Sequence, residues 1–399
     1  MQRFLTTAFQ TVFCGWLAFL CSFIDRLSWP PVIPLAAREL GLTAAQAGGF
    51  MSAFFFGYLL TQLPGGLLAD RIGVRRVLLS SLLIMGCFTA GIAWVSDFLS
   101  GAVLRFLAGV GSGAVLAASV KAVYDHYETK RRATAMGFLM TSAPLGLLLA
   151  NLLTPLIAAG HGWRYSFLFA GGMTLIVFGL GWFILPRNVE LRGIFRGSGY
   201  SVRGTLYSLI RNYRLMLTAA AGFFAMWGTW GTLTWANAYM NQGLGLSLQY
   251  SGKIMALFGL GALLGQPIAG WVSDQFRNYR RQTGMAILVG FALLLALFGS
   301  NQDVGRLFIL APLLGAGAFV FGPVLNTFIS ELVEPYQVAT AIGFCNGVWQ
   351  LGSLISPVAA GVLLDRTGSY TWAFSALAVG PLLAVLLLAL IRTDQETKY

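Results

Sequence analysis

The chain has 399 residues, of which 57% are hydrophobic and only 10% charged, and its mean hydropathy is +0.73. A soluble domain carries roughly a quarter charged residues, so this chain cannot cover a water-facing surface. The formal charge of +12 lies between apolar runs and makes no basic soluble face, which excludes nucleic acid as a partner.

Twelve hydrophobic segments are predicted along the chain, at about 8–35, 45–69, 77–96, 98–124, 133–158, 163–185, 214–241, 248–273, 283–300, 304–330, 336–363 and 370–391. The runs Phe4 to Ile24 and Trp372 to Ile391 hold no charge. Each is near the roughly 20 residues a helix needs to cross the hydrocarbon core. Lipid offers the backbone no partners, so such runs are helices. The first is too long for a secretory signal and lacks an A-x-A-like site, so it reads as an uncleaved first span. The four cysteines, Cys14, Cys21, Cys87 and Cys345, lie inside apolar runs without C-x-x-C spacing, so neither a disulfide framework nor a metal site is implied.

Basic clusters follow the even-numbered spans. They are Arg71, Arg75 and Arg76, then Lys130 to Arg132, then Arg187 to Arg214, then Arg277, Arg280 and Arg281, and last Arg392 and Lys398. By the positive-inside rule both termini are cytoplasmic in a multi-pass protein of the cell (inner or plasma) membrane. The stretch 187–213 is the only long polar one. It reads as a cytoplasmic linker between two six-helix halves, 1–186 and 214–399.

The halves repeat. Gly41, Gly48, Met51, Phe54, Gly57, Gln62, Gly66 and Asp70 recur as Gly245, Gly252, Met255, Phe258, Gly261, Gln266, Gly270 and Asp274, and at the same spacing Gly111, Gly113 and Ala114 match Gly315, Gly317 and Ala318. Ala133 to Phe138 recurs nearby as Ala339 to Phe344. Duplicated six-helix halves are a transporter architecture, with the solute site at the midplane between repeats that rock around it. The expected fold is therefore all-α and integral to the membrane, with twelve transmembrane helices in two pseudo-symmetric six-helix bundles.

The stretch Gly66 to Arg76, with Asp70, Arg71, Gly73, Arg75 and Arg76, resembles the loop 2–3 signature of the major facilitator superfamily, and Gly270 to Arg281, with Asp274, resembles its weaker second copy. Arg105 to Ala114 resembles that superfamily's fourth-helix pattern. The first two helices, with Ile24-Asp25-Arg26, Pro34, Gly41 to Gly48, Tyr58 and Gln62 to Gly66, are most similar to its anion:cation symporter branch. The resemblance implies proton coupling at Asp25 and Arg105, and anion binding at Arg26 with Tyr58 and Gln62 beside it. It also implies a cytoplasmic gate built on Gly66, Asp70, Arg71, Gly73, Arg75, Arg76 and Asp274. Some members of the branch carry a glutamate where this chain has Ser112, which departs from a two-carboxylate relay. Trp235 to Tyr239 resembles the branch's seventh-helix pattern, with Asn237 where proline is common.

Several positions carry more than one reading on sequence alone. Intramembrane charge is costly and marks function by default, yet Asp25 and Arg26 are also compatible with a local ion pair before Pro30-Pro31. A substrate carboxylate, bound by the planar fork of Arg26, would draw that arginine from Asp25 and leave Asp25 to take a proton. Arg105 is either a proton or anion residue or a structural donor. Lys121 is either a substrate ligand or the partner of Asp125 one turn on. In the second half Trp235, Asn237, Asn346 and Gln350 are the polar candidates for a cavity lining. The glycines 109, 111 and 113 imitate a nucleotide fingerprint, but no strand precedes them, and close helix packing explains them.

The functional expectation is proton-coupled uptake of a small organic anion, such as a sugar acid or another carboxylate. No cofactor and no metal are implied, and a monomer in the lipid bilayer is expected. The alternatives are a proton-driven exporter of a drug, siderophore or lipid-like compound, or a transporter-like receptor. No H-E-x-x-H, P-loop or G-x-S-x-G occurs, so no enzyme is indicated.

Overall fold

The computed structural model describes residues 2–186, 202–275 and 279–391, without the side chains of 2–7, 63, 129, 133, 202–206, 269, 270 and 272–274. Arg187, Arg277, Arg392 and Lys398, named above, lie outside the described residues, as does the side chain of Asp274. The order is α1 (Gln2–Leu27), a short turn at Pro30–Val32, α2 (Ile33–Glu39), α3 (Ala44–Ile72), α4 (Val74–Gly91), α5 (Phe98–Gly113), α6 (Val115–His126), α7 (Thr129–Met140), α8 (Ser142–His161) and α9 (Trp163–Ile184). After the linker come α10 (Val202–Arg211), α11 (Tyr213–Ala238), α12 (Leu248–Gln275), α13 (Arg280–Ser300), α14 (Val304–Glu331), α15 (Val338–Thr367) and α16 (Tyr370–Ala389). The described residues contain no strand.

Nine helical stretches among the described residues are long and apolar enough to cross a membrane. A tenth is α3, whose parts Ala44–Gln62 and Pro64–Ile72 meet at 46°. Pro64 explains the bend, because it removes a helix donor and its ring clashes with the preceding turn. The remaining two of the expected twelve, α11 and α12, are 26 and 28 residues long. The chain forms two compact units, one of Met1–Arg196 with Ala236–Ala256, the other of Gly197–Trp235 with Leu257–Tyr399.

Local signals fix the element ends. Thr43 caps α3 reciprocally with Gln46, its hydroxyl accepting from the Gln46 amide while the Gln46 side chain accepts from the Thr43 amide. Asp97 and Asp303 cap α5 and α14 with side-chain oxygens. Gly73 and Gly162 turn the chain between consecutive helices at φ of 88° and 95°, a region that favours glycine.

Glycines set how closely the helices pack. A Cβ on Gly109 of α5 would lie 2.0 Å from the Phe54 carbonyl oxygen of α3. On Gly315 of α14 it would lie 1.9 Å from the Phe258 carbonyl of α12. Gly57 faces the Phe106 carbonyl at 2.1 Å as Gly261 faces that of Pro312 at 1.9 Å. Without side chains at these points the backbones touch, and dispersion rather than apolar burial holds helices together in lipid.

These contacts revise the repeat. Phe54 and Phe258 match at the spacing that relates Asp70 to Asp274, but their partners are Gly109 and Gly315, which lie two positions further apart. Gly111 packs on Met85 and Gly317 on Phe291 at the same longer spacing. So Gly111 corresponds to Gly317 rather than to Gly315. A glycine pattern of period two matches itself equally well after a shift of two, which is why the sequence conceals the step. The two extra residues of the second half fall between Asp274 and Arg281. Beyond that point equivalence is consistent. Arg75 donates to the Leu185 carbonyl at the end of α9, and Arg281 donates to the Ile391 carbonyl just beyond the end of α16. Each arginine satisfies an orphan carbonyl at the close of its half's last span.

Replacing Gly109 by Ala is expected to lower the melting temperature of the purified protein, by an overpacking cost of about 1–3 kcal/mol. Gly160→Ala, where nothing lies within 4 Å, should leave it unchanged in the same thermal scan.

Candidate functional site

The site is built on the end of α1. Pro30 and Pro31 follow that helix and have no N–H, so the carbonyls of Arg26 and Leu27 lose the donors four residues on and the helix ends there. Arg105, on α5 and fully buried, donates to two carbonyls at that end: Nη1 to that of Asp25 at 2.9 Å and Nη2 to that of Arg26 at 2.9 Å. A cation at a helix C-terminus is also favoured by the macrodipole. The guanidinium lies over the Phe54 ring at 5.0 Å and against the Met51 sulfur at 3.2 Å. Arg105 thus holds two backbone carbonyls at once with the two ends of its guanidinium.

Asp25 and Arg26 are both buried, and they face different neighbours. Successive helical residues point about 100° apart and do not face one another. The Asp25 carboxylate turns to α9, where the Thr174 hydroxyl lies 3.0 and 3.2 Å from its two oxygens. That hydroxyl is also 3.1 Å from the Ala170 carbonyl. The Arg26 guanidinium turns to α3. Four rings surround it: Tyr58 at 4.6 Å, Phe23 at 4.9 Å, Phe54 at 5.2 Å and Phe55 at 5.3 Å. Its Nη2 is 3.5 Å from the Ser112 hydroxyl, which pairs with Ser22 at 2.5 Å. The expected exchange of Arg26 between Asp25 and a substrate therefore does not match this arrangement, because the two side chains engage separate helices.

Around Arg26 the structure thus gathers Tyr58, Ser22, Ser112 and three phenylalanines. Gln62 follows one turn along α3 from Tyr58 and is partly buried. Lys121 is held elsewhere. Its ammonium bridges Asp70 at 3.1 Å and Asp125 at 3.2 Å, so a substrate would have to displace two carboxylates to reach it. That contact gives Asp70 a specific cationic partner on α6, at the end of the unit that carries Gly66, Arg71, Gly73, Arg75 and Arg76. Arg71 and Arg76 are exposed there, while Arg75 also donates to the Trp182 carbonyl at 2.7 Å.

Asn237 belongs to the first unit, where its amide donates to Asn151 Oδ1 on α8 at 2.9 Å. Gly252 packs beside it, since a Cβ there would meet the Asn151 carbonyl at 2.3 Å. In the second unit Trp235 donates from its indole to the Pro357 carbonyl at 3.0 Å. Asn346 and Gln350 lie one turn apart on α15 and pair at 3.5 Å. Sequence reasoning missed Thr174, Asn151 and the three phenylalanines. Thr174 and Asn151 are polar residues in long apolar runs and were visible as such. Of the phenylalanines, three of thirty, only Phe54 stood out, and as a repeat position matched by Phe258 rather than as a neighbour of Arg26.

The family model described as Major Facilitator Superfamily matches residues 15–301 and 220–399. A probable sulfoacetate transporter of Cupriavidus necator is 27% identical, over 95% of this chain and 93% of its own. The hexuronate transporter of Bacillus subtilis is 25% identical, over 94% and 92%. The gentisate transporter of Corynebacterium glutamicum is 26% identical, over 97% and 88%. Among solved structures, a bacterial homologue of the human lysosomal transporter Spinster superposes with a TM-score of 0.80 at 15% identity, over 96% of this chain and 95% of that one. This last likeness concerns the fold alone.

If Arg105 acts as a two-pronged donor, charge alone will not replace it. Arg105→Ala should destabilise the protein by about 1–3 kcal/mol for each carbonyl left unpaired. Arg105→Lys, a point charge without the fork, should recover less than half of the loss in melting temperature. A lysine variant as stable as the parent would make the role purely electrostatic.

Proposed function

The chain belongs to the major facilitator superfamily and is a transporter, and on that premise we propose that it takes up a small organic anion together with a proton. The proposed setting is the cell inner or plasma membrane, with both termini cytoplasmic and the monomer as the working unit. The observation that carries the anion reading is Arg26, a buried guanidinium presented between aromatic faces with a serine hydroxyl at its edge. A carboxylate or sulfonate offers the acceptor oxygens such a fork takes in pairs. The relatives named for sulfoacetate, hexuronate and gentisate transport share an anionic group and little else.

The proton site is Asp25, and hydrogen-bond counting supports it. Thr174 has one hydroxyl proton and two acceptors in reach, the Asp25 carboxylate and the Ala170 carbonyl. With Asp25 ionised, the hydroxyl proton serves only one of them, while the Ala170 carbonyl keeps the helical bond from the Thr174 amide and Thr89 also faces the carboxylate. With Asp25 protonated, its O–H donates to the Thr174 oxygen and Thr174 donates to Ala170, so both contacts are made. Arg105 grips the carbonyls of Asp25 and Arg26 together, so a shift of one side chain's backbone moves the other's. Coupling in this scheme passes through the shared end of α1 rather than through exchange of a side-chain ion pair. The Asp70–Lys121–Asp125 cluster serves as a latch that opens and re-forms as the site alternates between the two sides of the membrane. Asp274, Asn346 and Gln350 are proposed to serve the second half of that cycle, and Trp235 and Asn237 to hold the seventh span in place.

The test is uptake into proteoliposomes of labelled sulfonates, hexuronates and hydroxybenzoates, with and without an inward proton gradient. Gradient-driven accumulation of at least one class is expected. Arg26→Ala should cut uptake at any gradient by at least about 30-fold, the loss of a buried charged contact. Asp25→Asn should still exchange substrate across the membrane but fail to concentrate it. An Asp25→Asn protein that accumulates substrate against its gradient would remove the proton assignment. Outward movement of lipophilic compounds in exchange for protons, with no anion uptake, would overturn the whole reading.

A further inference from the structure

A cavity of about 600 Å³ lies between the start of α4 and the end of α9, away from the α1 site. Its walls are apolar, formed by Leu79, Leu83, Phe178 and Trp182. Its rim carries Arg75, Arg76 and the Ser80 hydroxyl. Arg75 is fixed there: its guanidinium donates to the Trp182 and Leu185 carbonyls and lies 5.6 Å from the Trp182 ring. Arg76 is exposed at the same rim. Leu83 and Trp182 are 43% and 49% exposed, so the trough opens sideways along the helices as well as at the end. On the proposed topology that end faces the cytoplasm, and the exposed side faces lipid.

Apolar walls, basic rim and position together describe one kind of occupant. A soluble anion would use the arginines and waste the trough. A neutral lipid would use the trough and leave two cations without a counter-charge. We infer that this groove is a binding site for an anionic phospholipid of the cytoplasmic leaflet, the phosphate held by Arg76 and Arg75 and an acyl chain lying along Leu83 and Phe178. Anionic lipid is attracted to basic pockets between helices on that side of a membrane.

The duplication supplies an internal control. At the spacing that relates Arg75 to Arg281, Arg76 corresponds to Gln282, Ser80 to Ala286, Phe178 to Ala384 and Trp182 to Leu388. The structural arginine is kept, because it closes the last span of each half. At the equivalent positions the second half has no cation, no hydroxyl and no aromatic ring, and its other arginine there, Arg280, is paired with Glu331. Packing therefore does not require them, since the second half closes its own last span without them.

The experiment uses the full chain, purified and delipidated in an uncharged detergent. It is titrated with dioleoyl phosphatidylglycerol or dioleoyl phosphatidylcholine, and bound lipid is counted by native mass spectrometry. The wild-type protein should retain phosphatidylglycerol in preference to phosphatidylcholine. Arg76→Gln should weaken phosphatidylglycerol binding about fivefold. Arg131→Gln, an exposed cation on α7 outside the groove, should not change it. Ser80→Trp, which plugs the mouth and leaves both arginines, should abolish it. Inorganic phosphate at the same concentrations should not displace the lipid. Equal losses from Arg76→Gln and Arg131→Gln would mean diffuse surface attraction and overturn the site. So would undiminished binding in either Arg76→Gln or Ser80→Trp, the lack of any preference between the two lipids, or displacement by phosphate.

Discussion

The first half of this transporter is organised by one guanidinium doing a backbone's work. Pro30 and Pro31 stop α1 where it carries its two charged residues, and stopping a helix inside a membrane leaves carbonyls without donors. Arg105 closes that gap from another helix. Its position in turn requires α5 to lie against α3, and Gly109 and Gly57 allow that approach. The glycines, the prolines and the arginine are thus parts of one solution. Each makes sense only if the others are present, and the charged pair at the end of α1 is held still as the result.

The two halves show which features of the duplication are structural and which are not. Both keep the glycine crossings, the aspartate caps at Asp97 and Asp303, and the arginine that closes the last span. Among the described residues, the charges buried inside a span are Asp25, Arg26 and Arg105, all in the first half. Its counterpart offers amides, Asn346 and Gln350, paired one turn apart.

The all-helical membrane character was legible because the bilayer imposes few options: run length and hydropathy sufficed for the apolar helices. The repeat was legible too, but its register was not, since glycines at every second position hide a step of two. Asp25, Arg26 and Arg105 stood out as charges in apolar runs. Their relations did not, because adjacency in sequence suggested a pair where helix geometry separates the side chains by about 100°. Lys121 shows the opposite case. Its local partner Asp125 was readable at one turn's distance, while Asp70, distant in sequence, needed the fold. The ring of Phe23, Phe54 and Phe55 was hidden by abundance, as aromatic residues in a membrane protein are common and individually uninformative.

If Arg26 is the anion contact proposed above, that aromatic ring has a consequence for the ions it would pass over. Faces of Phe supply no hydrogen bonds to replace a water shell, so an anion meeting Arg26 would exchange most of its hydration for the guanidinium and the Ser112 hydroxyl. Chloride, sulfate and inorganic phosphate hold that shell tightly and bring nothing apolar to offset its loss. An organic anion loses water from one end only and lays a carbon skeleton against the rings. On the proposed reading of Arg26, the most abundant anions of a cell would be kept out by dehydration, without any group that repels them.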